Sequence, residues 1–323
     1  MSASNITVGA TNVSVWTTYL LRKFVDGLKA NLFFTEYAEK ATIPRGAGAY
    51  VARWNVPTMR IGSTTAIVDG TWGSAASAIT LTGVEATIAD YGEYINITDL
   101  ARESQLTGAL DQYSDIMSYA GAGAINTLIY NQAKSATNFL HAGDTATGGT
   151  TLASGDTLKA PDIAFVSQFF RGKDAVGFSN LSGDYMMAIH PDAEYDLVTD
   201  VTTAALSWTE VNKYVPRGFD QLIENHRFVG RMNGVSVLRT TLVGTVTEDI
   251  AAHVNVALAK WGVGWLGLGS SPETMPEIIP KRPGPQSTND PLNINCTLAW
   301  KVRMATKILD AGNRALVVYT DAA

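Results

Sequence analysis

The sequence predicts an α+β protein, and three observations lead to that fold class. Residues 45–97 are poor in helix formers and broken by Gly and Pro, with alternating runs typical of strands. Residues 98–140 carry one sustained helical stripe. Beyond them, short strand and helix patterns alternate, and the chain ends on further strands. These shifts divide the chain into an arm over 1–44, a hairpin region over 45–97, a long helix over 98–140, an α/β region over 141–290 and return strands over 291–323.

In the arm, Tyr19, Leu20, Phe24, Leu28, Leu32 and Phe33 recur at spacings of three or four, which predicts a helix that Pro44 ends. Alternation in Tyr50–Trp54 and Tyr94–Ile97 predicts a long two-stranded hairpin whose tip, about Met59 to Ser77, is short of bulky residues. An isolated hairpin is marginal in water, so this one needs a partner surface. Asp99 is the expected N-cap of the long helix, with Leu106, Ala109, Leu110, Tyr113, Ile116, Met117, Ala120, Ala124 and Leu128 on its apolar face. Gly108, Gly121 and Gly123 inside it point to close approach of another backbone, or to a bend.

The Gly/Thr/Ser-rich stretch from His141 to Lys159 is expected as a loop, and Pro161 opens an amphipathic helix through Arg171. Tyr185–Ile189 is a buried strand, and His190-Pro191 starts a helix through Leu197. Asn233-Gly234 is a hairpin turn between two strand patterns. His253 to Lys260 is strand-like, Pro272 to Pro291 is a proline-rich connector, and strands flank a turn at Asp310–Asn313.

Composition narrows the function classes. Hydrophobic residues make up 46% of the 323, enough for a substantial core. Charged residues are 17%, below the ~25% of an ordinary soluble domain, which suits a chain that hides surface in an oligomer. The net charge of −6 and the lack of a dense Lys/Arg run disfavour tight nucleic-acid binding. One cysteine, Cys296, rules out an internal disulfide framework and a multi-cysteine zinc site. No secretory signal and no apolar run near the ~18–20 residues of a membrane span are visible, so a soluble protein made in a cytoplasm is expected.

Motifs for chemistry fail on context. Gly262-Val-Gly-Trp-Leu-Gly267 matches a dinucleotide fingerprint, but prolines follow where a helix must begin, so it is expected as a glycine-rich turn. The four histidines, His141, His190, His226 and His253, show no ligand spacing, and His190 is expected to hydrogen-bond locally at a strand-to-helix junction. The acids Asp192, Glu194 and Asp196 fit a solvated helix face better than a catalytic pair. No catalytic residue, cofactor or metal is assigned. Arg53, Trp54 and Arg60 on the hairpin, and Trp72 beyond it, are too few cations for a phosphate track; they fit intersubunit packing.

This order of elements resembles the major capsid proteins of tailed bacteriophages, with the Hong Kong ninety-seven type fold. Tyr185–Asp192 looks like the opening of that family's axial domain, and Phe228–Leu242 like its central hairpin. Leu298–Asp310 with Arg314–Val318 is similar to the ending of a podovirus-type branch. The resemblance implies that the hairpin is an extended E-loop, that the long helix is the spine of a peripheral domain, and that residues 141–290 form the axial domain. It implies a subunit of an icosahedral virion shell that assembles with itself into pentamers and hexamers in the host cytoplasm. The shell would enclose double-stranded DNA without specific binding. Intersubunit contacts are then expected at Arg53, Trp54, Arg60 and Trp72 of the E-loop, and at Trp16 and Phe24 of the arm.

No charged helical prefix precedes the arm, so a separate scaffolding protein is expected, together with a portal protein; a decoration protein is left open. No lysine occurs between Lys40 and Lys134, so the E-loop lysine of the family's isopeptide cross-link has no counterpart. Two other readings stand beside this one: an encapsulin-like compartment around a cargo enzyme, and a cytoplasmic α/β enzyme with an unrecognised site.

Overall fold

In the computed structural model, residues 19, 22–28, 31–44, 51–57, 64, 66–67, 69–70, 81–98, 109–143, 151–199, 208, 227–269, 276–281 and 295–322 are described. Three apolar strand sequences, Tyr185–Ile189 (β6), Ala251–Leu258 (β10) and Ala315–Asp321 (β14), are buried nearly throughout. Strands covered on both faces carry apolar side chains in both phases of the pleat. Here Met186, Ala188, Val254, Val256, Ala315 and Val317 point to one core. Their alternates Tyr185, Met187, Ile189, Ala257, Leu316 and Val318 point to another.

These strands sit in a seven-stranded sheet of order β5-β14-β10-β6-β8-β7, with β9 also on β10. Its other members are Phe139–His141 (β5), Phe228–Met232 (β7), Val235–Arg239 (β8) and Thr245–Thr247 (β9). The β7–β8 turn is Asn233-Gly234, where φ values of 51° and 82° suit the twist of a tight hairpin. One face is covered by the helix Ala109–Ala133 (α1). The other carries Ala160–Gly172 (α2), through Ile163, Val166 and Phe170, and Pro191–Thr199 (α3), through Ala193 and Leu197. At the start of α2 the buried Asp162 accepts hydrogen bonds from the Lys159 and Gly143 amides, and burial pushes its carboxyl up to about 6.

A second, five-stranded sheet is built on Asn295–Ile308 (β13). Along one edge β13 pairs with Ala89–Thr98 (β4), and along the other with Glu277–Lys281 (β12) and Val263–Leu268 (β11). Glu39–Ile43 (β1) lies parallel to β11. Val51–Pro57 (β2) and Leu81–Thr87 (β3) form the antiparallel stem of a hairpin.

Four expectations need correction. The Gly262–Gly267 segment is no turn: most of it is β11, an interior strand paired on both sides. The proline-rich connector contains β12, with Pro280 in register opposite Leu298. The arm helix does not run on to Pro44: residues 22–28 are helical, but Phe34–Glu36 is a 3-10 turn and β1 follows. The apolar face of α1 is rotated from the expected one. Its buried positions are Ser114, Met117, Ser118, Gly121, Ala122, Ile125, Asn126, Ile129, Tyr130 and Ala133, while Ile116 is exposed. Of the expected face, Met117 is buried and Tyr113, Ala124 and Leu128 pack half-buried on the core; the burial extends from there to the small residues that line the contact with the arm helix.

That contact is fixed by polar groups. The Asn126 side chain, 2% exposed, accepts hydrogen bonds from the Phe33 and Phe34 amides at 3.0 and 3.1 Å and donates to the Asn31 carbonyl at 3.0 Å. It thereby satisfies the chain where the arm leaves its helix. Asn126→Ala would leave three backbone groups without partners, at about 1–3 kcal/mol for each buried one. A fall of several degrees in melting temperature is expected, with Asn126→Asp, which keeps the acceptor, falling less; thermal unfolding of both variants measures it.

Candidate functional site

For a chain without a recognised catalytic motif, the candidate site is exposed surface. It is built from the hairpin stem, the outer face of α1 and the arm. In the stem Trp54 stands opposite Val84, and Arg53 opposite Glu85. Trp54 is half-buried and packs against its own chain: its ring meets Gly264 of β11, where a Cβ would come within 3.0 Å of it. Ala52, Trp54, Ile43, Ala86 and Leu266 form a small apolar cluster that seats the stem on the five-stranded sheet. Arg53 is exposed, and its guanidinium lies over Gly83 of the partner strand. Trp54 thus anchors the hairpin, while Arg53 stays at the surface.

Phe24, expected on an arm reaching a neighbour, is fully buried in this chain's own core beside Gly121 of α1. Its contact is internal, because the small-residue face of α1 lets the arm helix settle there. Arg60, Trp72 and Trp16 lie outside the described residues.

Exposed large apolar side chains occur on other elements. On α1, Ile116 and Tyr119 are 62% and 68% exposed, and Tyr94 of β4 is 70% exposed. The hairpin adds Val51, Ile67 and Leu81. The helical stripe of the sequence had placed Ile116 inward. Its exposure became legible only once the arm took the opposite face.

The histidines do not stay scattered. His190, just after β6, stacks on His253 of β10 with ring centroids 3.9 Å apart and planes 17° from parallel. Asp192 Oδ2 lies 3.0 Å from His190 Nδ1 and 3.1 Å from His253 Nε2. The sequence expected a local hydrogen bond at His190, and one exists: the Asp192 amide donates to His190 Nδ1 at 3.3 Å. The pairing with His253 was missed because it joins strands 63 positions apart, which spacing rules do not reach. Burial, then the neighbouring His190, lowers the His253 pKa from its ordinary value. His141 stands apart from this pair, packed against Phe139 and Tyr319.

Among the described residues no helix is long and apolar enough to cross a membrane.

A family model described as phage capsid protein matches residues 81–317, most of the chain. The chain belongs to the phage capsid protein family. It is a major capsid protein, a structural subunit of the phage head shell and not an enzyme, and its place is the virion.

Solved capsids share its fold at low identity. The capsid of Ralstonia phage GP4 is 12% identical with a TM-score of 0.66, covering 90% of this chain and 89% of that one. The cyanophage Pam1 capsid asymmetric unit is 9% identical with a TM-score of 0.63, covering 92% of each. The capsid of cyanophage P-SCSP1u is 16% identical with a TM-score of 0.58, covering 90% and 89%. Likeness to such asymmetric units accords with assembly from copies of itself. No curated protein matches the chain. The mixed α+β fold of this capsid protein is thus of the Hong Kong ninety-seven type.

The Trp54–Gly264 contact yields a test of how the capsid protein holds its hairpin. Gly264→Val would push the indole off β11 and free the stem. Limited trypsin digestion of the variant should cut at Arg45, Arg53 or Arg60 faster than in the wild type, read by mass spectrometry of the fragments.

Proposed function

We propose that the hairpin of each capsid subunit lies across the outer face of α1 in its neighbour, and that residues 141–290 gather as axial domains at the centres of pentamers and hexamers. The observation that carries this reading is the exposure of Ile116 and Tyr119 on α1, together with that of Val51 and Leu81 on the hairpin. Apolar side chains on a helix surface cost solvation in a free subunit, and a neighbour's hairpin would cover them. Arg53, and with it Arg60 and Trp72, would contribute at the hairpin side, and Trp16 at the arm.

In the same reading a separate scaffolding protein and a portal protein take part in assembly, and double-stranded DNA is enclosed without sequence-specific contact. The acidic balance, −6 overall, suits an inner wall that does not hold packaged DNA. The segment Leu298–Asp310 supports placement in the podovirus-type branch. A virus-like particle from Pyrococcus furiosus has the same fold, with a TM-score of 0.51 at 10% identity, so fold by itself does not separate a genome shell from other shells. The family match favours the phage head over the encapsulin-like reading.

Negative-stain electron microscopy of the expressed chain, with a candidate scaffold, tests the contact. The wild type should give shells, tubes or rings. The double variant Ile116→Asp and Tyr119→Asp should stay unassembled while its circular dichroism and melting temperature match the wild type. Normal shells from this variant would overturn the reading.

The described hairpin strands and the tip between them contain no lysine, so we expect no E-loop isopeptide bond. Assembled shells boiled in SDS should run as monomer. A heavier band shown by mass spectrometry to hold a lysine–asparagine link would refute this.

A further inference from the structure

We propose that a pocket at Arg227 receives the Asp69 carboxylate from the hairpin tip of a second copy of this chain, so that a charge pair pins each tip. The proposal rests on the reading that the hairpin lies across the outer face of α1, and it names where the tip ends.

The pocket opens beside that face. Its volume is about 230 Å³, and its lining includes Asn31 of the arm, Tyr119 and Gly123 of α1, Arg227, Arg239 and Thr241. Ile116, Tyr119 and Gly123 follow one another at spacings of three and four, so the exposed apolar face of the helix leads into the pocket. Gly123 leaves the way open, since a Cβ there would meet nothing within 4 Å. Tyr119 and Thr241 are both exposed and keep the mouth open to solvent.

The pocket is one anion short. The Arg239 amide donates to the Arg227 carbonyl at 2.6 Å, one step beyond the Phe228–Leu238 pair, so two arginines stand opposite each other on neighbouring strands. Like charges in that arrangement repel. Glu194 pairs with Arg239 at 3.1 Å. Arg227 is half-buried, its guanidinium carbon 5.3 Å from the centre of the Phe33 ring, and among the described residues no carboxylate pairs with it. A guanidinium seated on an aromatic face keeps its N–H edge for a carboxylate.

The hairpin tip carries the matching groups. Residues 58–80 contain a single acid, Asp69, preceded by the apolar run Ala66-Ile67-Val68. Asp69 is exposed, and Ile67 is 70% exposed. Glu85, the other acid of the hairpin, already stands in register with Arg53. A large apolar side chain two positions before a carboxylate complements an exposed tyrosine beside an arginine. Twelve residues separate Pro57, at the end of β2, from Asp69. That length can span up to about 40 Å, ample to cross a helix about 10 Å wide. A phosphate backbone fits the pocket less well, because affinity for it grows with the number of phosphates neutralised and one uncompensated guanidinium neutralises few.

Negative-stain microscopy of the full chain, with the same candidate scaffold, reads the pair by charge reversal. Arg227→Glu and Asp69→Arg should each lose shells, tubes and rings, and the two together should restore them. Normal shells from either single reversal would overturn the proposal, as would an unassembled double variant that melts like the wild type. A second measurement leaves Arg227 in place. Ile67→Cys with Thr241→Cys, treated in assembled shells with a short bis-maleimide, should give a ladder of linked subunits on a denaturing gel that neither single variant gives. A gel without that ladder would also sink the pinned tip. The wider reading fails separately: normal shells from both charge reversals, with none from the Ile116 and Tyr119 double variant, remove the pin and leave the hairpin contact standing.

Discussion

At the junction of the two sheets the chain passes twice, from β10 into β11 and from β13 into β14, and the passages hydrogen-bond to each other. The Ala259 amide donates to the Arg314 carbonyl at 2.9 Å, and the Leu309 amide to the Gly262 carbonyl at 2.8 Å. A Cβ at Gly262 would stand 2.6 Å from the Arg314 carbonyl oxygen, so the backbones meet at a distance only glycine allows. The buried Arg314 side chain closes the junction: it pairs with Asp310, donates to the Lys260 carbonyl and lies over the Trp261 ring. A guanidinium suits this place because its planar fork serves a carboxylate, a carbonyl and an aromatic face together. With both passages fixed, the two sheets have one mutual orientation, and α1 packs across it against β13, β11, β10 and β14.

The glycines that imitate a dinucleotide fingerprint are explained by this packing. Gly262 admits the neighbouring passage, and Gly264 admits the ring of Trp54. Along β11 the alternation continues, with Val263 and Trp265 toward α1 and Leu266 toward the hairpin. A nucleotide site would need a helix start at the same spot. Instead the glycines let two layers approach one strand from opposite sides, which serves a subunit that must hold its shape inside a shell.

Local pattern carried much of the fold in the sequence. The buried strand Tyr185–Ile189, the proline-started α2 and the Asn233-Gly234 turn are each set by residues close together in the chain. What stayed hidden depends on distant partners. Which side of α1 faces inward is decided by the arm, whose Asn31, Phe33 and Phe34 meet Asn126 over more than ninety positions of sequence. Strands β11 and β12 were masked because glycine and proline normally break strands, and only their pairing with β13 reveals them. The His190–His253 pair is of the same kind, since each histidine alone looks unremarkable. The alternation of β10, which puts His253 and Asn255 on one face, was the available hint.

The layers also bear on how subunits close into a ring. Along the five-stranded sheet the order is hairpin stem, sheet and then α1, with Ile116 and Tyr119 on the far side of the helix. The two halves of the proposed contact therefore sit on opposite sides of one stack. A surface that met its own copy would stop at a dimer, whereas a hairpin meeting a different surface on the next subunit leaves a free hairpin and a free helix at each end. Such a head-to-tail contact continues until rotation closes it. In the proposed contact the stem's anchoring by Trp54 on β11 would matter for closure, because the angle at which the hairpin leaves one subunit would set the rotation to the next. A chain with this arrangement needs no strong single contact, since a closed ring engages every hairpin and every helix at once.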